Sequence, residues 1–116
     1  MFDKQLQWLG SSRKDIRGFP RVVRRLAGFQ LRRVQRGLAP LDWKHMAAVG
    51  PGVREIRIHT TLEHRILYVA KFAEALYVLH AFEKRTRATP RAEVELARQR
   101  FRALLVQRRA GQLTGG

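Results

Sequence analysis

The chain has 116 residues and no cysteine, so disulfides, thiolate catalysis and cysteine-bearing zinc sites are excluded and a reducing compartment fits. That length suits one domain, residues 1–116, which can bury roughly 60 to 70% of the surface its unfolded form exposes. Lys and Arg number 24 against 9 Asp and Glu, a formal net charge of +15 whose self-repulsion points to a polyanionic partner, nucleic acid or ribosome first and acidic protein second.

The N-terminal run MFDKQLQWLG carries acid and amide residues where a signal peptide has an apolar core. No segment reaches the roughly 18 apolar residues of a membrane span, so the expectation is a cytoplasmic protein with no membrane partner. Residues 5–9 suit an edge strand. Ser12 and Asp15 have capping-box spacing and open a short helix that ends near Phe19. Pro20 starts another helix, in which apolar residues at 22/23, 26/27, 31, 34 and 38 follow the helical period until Gly37 stops it. Arg21, Arg24, Arg25, Arg32, Arg33 and Arg36 fill the opposite face. Gly28 inside this helix costs about 1 kcal/mol against Ala and implies a tight helix contact or a kink.

Residues 37–52 read as a long connection with one helical turn, pinned to the core by Trp43. Residues 53–58 alternate as a strand, and the loop 59–64 joins them to a second strand, 65–72, which turns through 73–75 into a third, 76–82. Alternation puts Ile66, Tyr68, Ala70 and Phe72 on one face and Arg65, Leu67, Val69 and Lys71 on the other. It also lines up Leu76, Val78, His80, Phe82 and Lys84. Both faces are apolar in mid-strand, so this pair is central, covered on both sides, with charge confined to its ends. The last helix takes Thr89 as cap and Pro90 in its first turn, buries Val94, Ala97, Phe101, Leu104 and Leu105, and stops at Gly111. Two helices, three consecutive antiparallel strands and a helix make an α+β layer fold.

Little in this pattern suits metal or cofactor chemistry. His45, His59, His64 and His80 lack the spacing and carboxylate companions of a zinc site, and Walker, GxGxxG and GxSxG motifs are missing, so neither metal nor cofactor is expected. The cations at the strand ends have a clearer use. Arg57 and Arg65 flank one hairpin loop, and Lys84 and Arg85 leave the third strand near Arg65. Cleavage of a phosphodiester by its neighbouring 2′-hydroxyl needs such cations for the phosphorane and a proton donor for the leaving 5′-oxygen. Arginine does not deprotonate, so acid–base work falls to His59, His64, His80, a shifted Lys84 or the RNA itself. The catalytic candidates are thus Arg65, Lys84, Arg85, Arg57 and His80. Arg54, His59, Arg87, Lys44, Arg13 and Lys14 are the candidate contacts to RNA or ribosome.

The series WLGSSRKDIRGFP, VQRG, P-x-DWK, VGPGVREIRI, HRILYVAKF and YVLHAFEKRTRATP followed by A-x-x-R resembles the RelE/HigB-like toxins of type II toxin–antitoxin systems, in their phage-derived subfamily. The likeness covers nearly the whole chain. It implies a RelE/ParE fold, a small antiparallel sheet with two N-terminal helices packed on it and a C-terminal helix. It also implies a ribosome-dependent mRNA endoribonuclease that leaves a 2′,3′-cyclic phosphate. The partners it implies are ribosome, mRNA and an adjacently encoded antitoxin, often a helix-turn-helix protein, with operator DNA reached only through that antitoxin. In this pattern Arg65 opens its strand before an aliphatic-aliphatic-Tyr run, Lys84 and Arg85 close the last strand, and Arg57 is one of two cations on the earlier strand. The other cation falls at Glu55, a departure. The final-segment tyrosine of RelE and the His/Asp/Tyr set of HigB have no counterpart. A ParE-like gyrase inhibitor and a non-catalytic nucleic-acid-binding module are the alternatives.

Overall fold

The computed structural model describes residues 3–114. Strand β1 (Gln5–Trp8) comes first, followed by helices α1 (Ser12–Arg17) and α2 (Arg21–Gln35). Strands β2 (Trp43–His45), β3 (Val53–His59), β4 (Glu63–Val69) and β5 (Ala75–Lys84) precede the long helix α3 (Arg91–Thr114). The fold is α+β, with three helices and a five-stranded sheet ordered β1-β5-β4-β3-β2. Among the described residues no helix is long and apolar enough to cross a membrane.

The expected meander is present, since β3 pairs antiparallel with β4 and β4 with β5. The sheet as a whole is mixed rather than antiparallel, because β1 runs parallel to β5. A parallel neighbour requires a crossover, and α1 and α2 followed by β2 to β4 supply it. Within the stretch expected to be a connection, Trp43–His45 pairs with β3 as an edge strand, and Trp43 is half-buried opposite Ile56.

Two apolar layers hold the sheet. On one face Ile16, Val23, Ala27, Leu31 and Val34 of α1 and α2 pack on Ile56, Ile58, Ile66, Tyr68, Leu76 and Val78. On the other, Ala97, Phe101 and Leu104 of α3 pack on Val53, Leu67, Val69, Leu79 and Phe82. Each fully buried Leu or Phe of this kind contributes roughly 1.5–3 kcal/mol. Gly50 is required where the chain passes beneath α3, because a Cβ there would lie 2.3 Å from the Phe101 ring.

Strict alternation fails on β5. Leu67 pairs with His80 but Tyr68 pairs with Val78, so Leu79 is an extra, bulged residue. Leu76 and Val78 therefore face α2, while His80, Phe82 and Lys84 face the α3 side. Strand β4 also ends at Val69, short of the expected Phe72, because residues 70–74 form the hairpin connection.

Helix ends differ from expectation for local reasons. Ser11 is the N-cap of α1 and its hydroxyl donates to Asp15, whereas Ser12 is buried with its hydroxyl donating to the Val78 carbonyl. No capping box forms. A Cβ on Gly28 would meet nothing within 4 Å, so that glycine marks no close contact. Gly37 does end α2, at φ +84°, but α3 runs through Gly111 to Thr114.

Candidate functional site

Strand register alone assembles a charged cluster on the α3 face. Three cross-strand rows can be read from it: Lys44, Glu55, Leu67, His80; then Arg57, Arg65, Phe82; then His59, Glu63, Lys84. Side chains in such rows stand about 5 Å apart and share a face. The loop leading from β5 to Arg91 reaches this face. From that loop the Thr89 hydroxyl, expected to cap α3, instead donates to Glu55 Oε2 at 3.3 Å.

Glu55 is the hub of the cluster and is 0% exposed. Its Oε1 lies 3.5 Å from Arg65 Nε, 3.8 Å from Lys44 Nζ and 3.9 Å from Arg57 Nε. Arg65 is itself only 3% exposed, because it sits mid-sheet between β3 and β5. Its Nη1 and Nη2 each donate to Glu63 Oε1 at 3.1 Å, and Nη1 also donates to the His64 carbonyl at 3.0 Å. Arg65 thus braces the carboxylates and adds positive potential from below. The cations that reach outward are Lys44, Arg57 and Lys84.

Lys84 titrates below its ordinary value. Desolvation is the largest cause, followed by repulsion from Arg65, with Lys44 and Arg57 adding to it and Glu55 opposing it. Burial and adjacent cations together make its ammonium a better proton donor than a free lysine. The histidines are less suited. His64 is buried against Phe19 at 4.5 Å between ring centroids, and burial pushes its pKa down. His59 has Nδ1 2.6 Å from Glu63 and Nε2 2.5 Å from Asp42, so only the doubly protonated ring donates to both carboxylates.

His80, expected as a catalytic residue, closes the first row at the end away from the cations. It stands two strands from Glu55, roughly 10 Å, with Leu67 between them. There it stacks on Phe82, contacts Glu93 through Nε2, and lies 3.3 Å from Arg100 and 3.7 Å from Asp15 through Nδ1. Those contacts tie α1, β5 and α3 together. Arg54 is on the opposite sheet face, its guanidinium 4.3 Å above the Trp43 ring, because odd and even positions of β3 part company. Arg13 is exposed on α1. Lys14 lines a separate cleft of about 460 Å³ beside β5 with His64, His80, Glu83 and Glu93. Arg85 and Arg87 are exposed in the loop after β5, Arg85 Nε donating to Glu83 at 3.1 Å.

Sequence reasoning missed Glu55, Glu63, Asp42 and Thr89 as partners. The signal for Glu55 was present: it stands two positions before Arg57 on one strand, hence on the same face. Among the described residues no group of three or more His, Cys, Asp or Glu side chains is placed to hold a metal ion.

No curated protein matches the chain. A family model does, over residues 14–102, a span that begins within α1 and includes α2, the whole meander, every residue of the charged cluster and the start of α3. By that match the chain belongs to the family described as Phage derived protein Gp49-like (DUF891), which is associated with the toxins of toxin–antitoxin systems.

Proposed function

We propose that this protein is a toxin of RelE/ParE type that cuts mRNA on the ribosome and is held inactive by an antitoxin. The observation that carries the reading is Lys84, an ammonium of lowered pKa set beside Arg57, Arg65 and Lys44 at one end of the sheet. In the reaction the 2′-oxygen of a nucleotide bonds to its own 3′-phosphorus and loses its proton to water. Arg57 and Lys44 offset the charge that builds on the phosphorane, with Arg65 contributing from beneath. The bond to the 5′-oxygen breaks as Lys84 protonates it, leaving a 2′,3′-cyclic phosphate and a 5′-hydroxyl. Arg85 and Arg87 suit phosphates further along the strand or ribosomal RNA.

The test is cleavage of a ribosome-programmed mRNA by the purified chain, with 5′-end mapping, in wild type and Lys84→Ala. Cleavage that falls by about 10²–10³ in the variant supports the reading, as expected for loss of one transition-state donor. Full activity in Lys84→Ala would sink it. The burial of Arg65 favours a second reading, a gyrase inhibitor of ParE type, in which that arginine is structural. Supercoiling by gyrase in the presence of the chain separates the two.

A further inference from the structure

Helix α2 turns Val23, Ala27, Leu31 and Val34 toward the sheet, yet three more apolar residues lie outside that face. Val22 is 56% exposed, Leu26 37% and Phe29 52%. At 3.6 residues per turn they fall within about 60° of arc, one stripe two turns long. Leu41, also exposed, lies on the loop after α2, which its N–H holds against the helix by donating to the Gln30 side chain at 2.8 Å. Of the seven large apolar side chains exposed among the described residues, five lie between Val22 and Leu41, so the apolar surface is concentrated here.

The charge beside the stripe identifies what can cover it. Arg21, Arg25 and Arg36 form a row along one border together with Arg32, which is already paired with Asp3 at 2.6 Å, and the helix RVVRRLAGFQLRRVQ contains no acid at all. A shallow depression lined by Arg21, Val22 and Arg25 lies at the N-terminal end, where apolar and cationic surfaces meet. A second copy of this chain would bring arginine row against arginine row. A nucleic acid would satisfy the guanidiniums but leave Val22, Leu26 and Phe29 in water. A helix with apolar residues at i, i+3/i+4 and i+7 and carboxylates along one flank satisfies both.

We propose that the outer face of α2 is a docking surface for an acidic amphipathic helix of a partner protein. The surface stands apart from the RNA-cutting site and does not depend on that reading.

The probe is a synthetic peptide of about three heptads with Leu at a and d and Glu at e and g, titrated against the full chain at about 150 mM salt. It should bind one peptide per chain. Val22→Ser/Leu26→Ser/Phe29→Ser should weaken binding about tenfold or more, as should a peptide of the same charge with its leucines replaced by serine. Lys84→Ala should bind as wild type, which keeps this test separate from that of the cleavage site. Thermal unfolding checks that the triple variant is folded, and Phe29→Ser alone should show the same direction. Equal affinity for the serine variants, or equal binding of the serine peptide, would overturn the proposal in favour of bare electrostatics. So would a free chain that sediments as a dimer and is made monomeric by the triple variant.

Discussion

Glu55 and Arg65 lie 3.5 Å apart, Oε1 to Nε, and neither is open to solvent. The carboxylate is the buried counter-charge for Arg65, Lys44 and Arg57 together, and it opposes the fall in the Lys84 pKa. Glu55→Gln keeps the shape and leaves those cations facing one another. The expected loss of stability is on the order of 3 kcal/mol, the scale for removing one partner of a buried pair. Urea unfolding measures that loss, and an NMR titration of the Lys84 side chain should show its pKa falling further. An unchanged Lys84 titration would mean that Glu55 is not the hub.

Under the proposed cleavage reaction, Lys84 links stability and activity with opposite signs. A lysine whose folded pKa lies below 10.5 binds its proton more weakly in the fold than in the unfolded chain. Its charged form therefore detracts from stability at neutral pH, and the deficit disappears as pH rises through the folded pKa toward 10.5. Lys84→Met, which keeps the aliphatic stem and removes the charge, should melt slightly higher than wild type at pH 7, by an amount that the partial exposure of the lysine keeps small, while losing RNA cleavage. A stabilised variant that still cuts would separate the lysine from the chemistry.

How legible this arrangement is in the sequence depends on distance along the chain. The helical period of 22–38 and the alternation in 53–58 are local, and α2 and β3 lie where those patterns put them. The hairpin partners Arg57 and Arg65 are close in sequence, so their pairing follows from a short loop. By contrast the bulge at Leu79 depends on how β5 packs against β4 and α3 at once, and its effect is to reverse every side chain before it. Face assignments made from one end of β5 could not carry to the other. Lys44 and Thr89 reach Glu55 from 11 and 34 positions away, distances over which no periodicity speaks.

Gly28 is a place where the helix can be improved. Its Cβ position is open and its φ is not in the left-handed region, so alanine fits without strain. Gly28→Ala should raise stability by about 1 kcal/mol through helix propensity and the lost freedom of the unfolded chain. Denaturant unfolding with an unchanged m-value is the check, and a destabilised variant would indicate a contact on that face of α2. Because Gly28 borders the arginine row rather than the apolar stripe, peptide docking on α2 should be unaffected.

One surface pair at the far end of the sheet should contribute to the acid limb of stability. Arg108 of α3 holds the Glu74 carboxylate at 2.6 and 3.1 Å, and its guanidinium covers the Phe72 ring at 3.6 Å. Tyr77 donates to the same carboxylate at 2.7 Å, so α3 is fastened to the hairpin between β4 and β5. The Arg108 hydrogen bond, ahead of the other causes, lowers Glu74 from 4.5 to about 2. A carboxylate held below its unfolded value contributes stability that is fully present above that value and is lost as pH falls toward the folded one. The window is therefore from 4.5 down to about 2. Half-exposure of the pair keeps its contribution modest and salt-sensitive. Urea midpoints measured across that window should fall less steeply for Arg108→Ala than for wild type, and the difference should shrink in high salt. Parallel midpoints for the two proteins would show that the pair is too solvated to matter and that Phe72 alone anchors the end of α3.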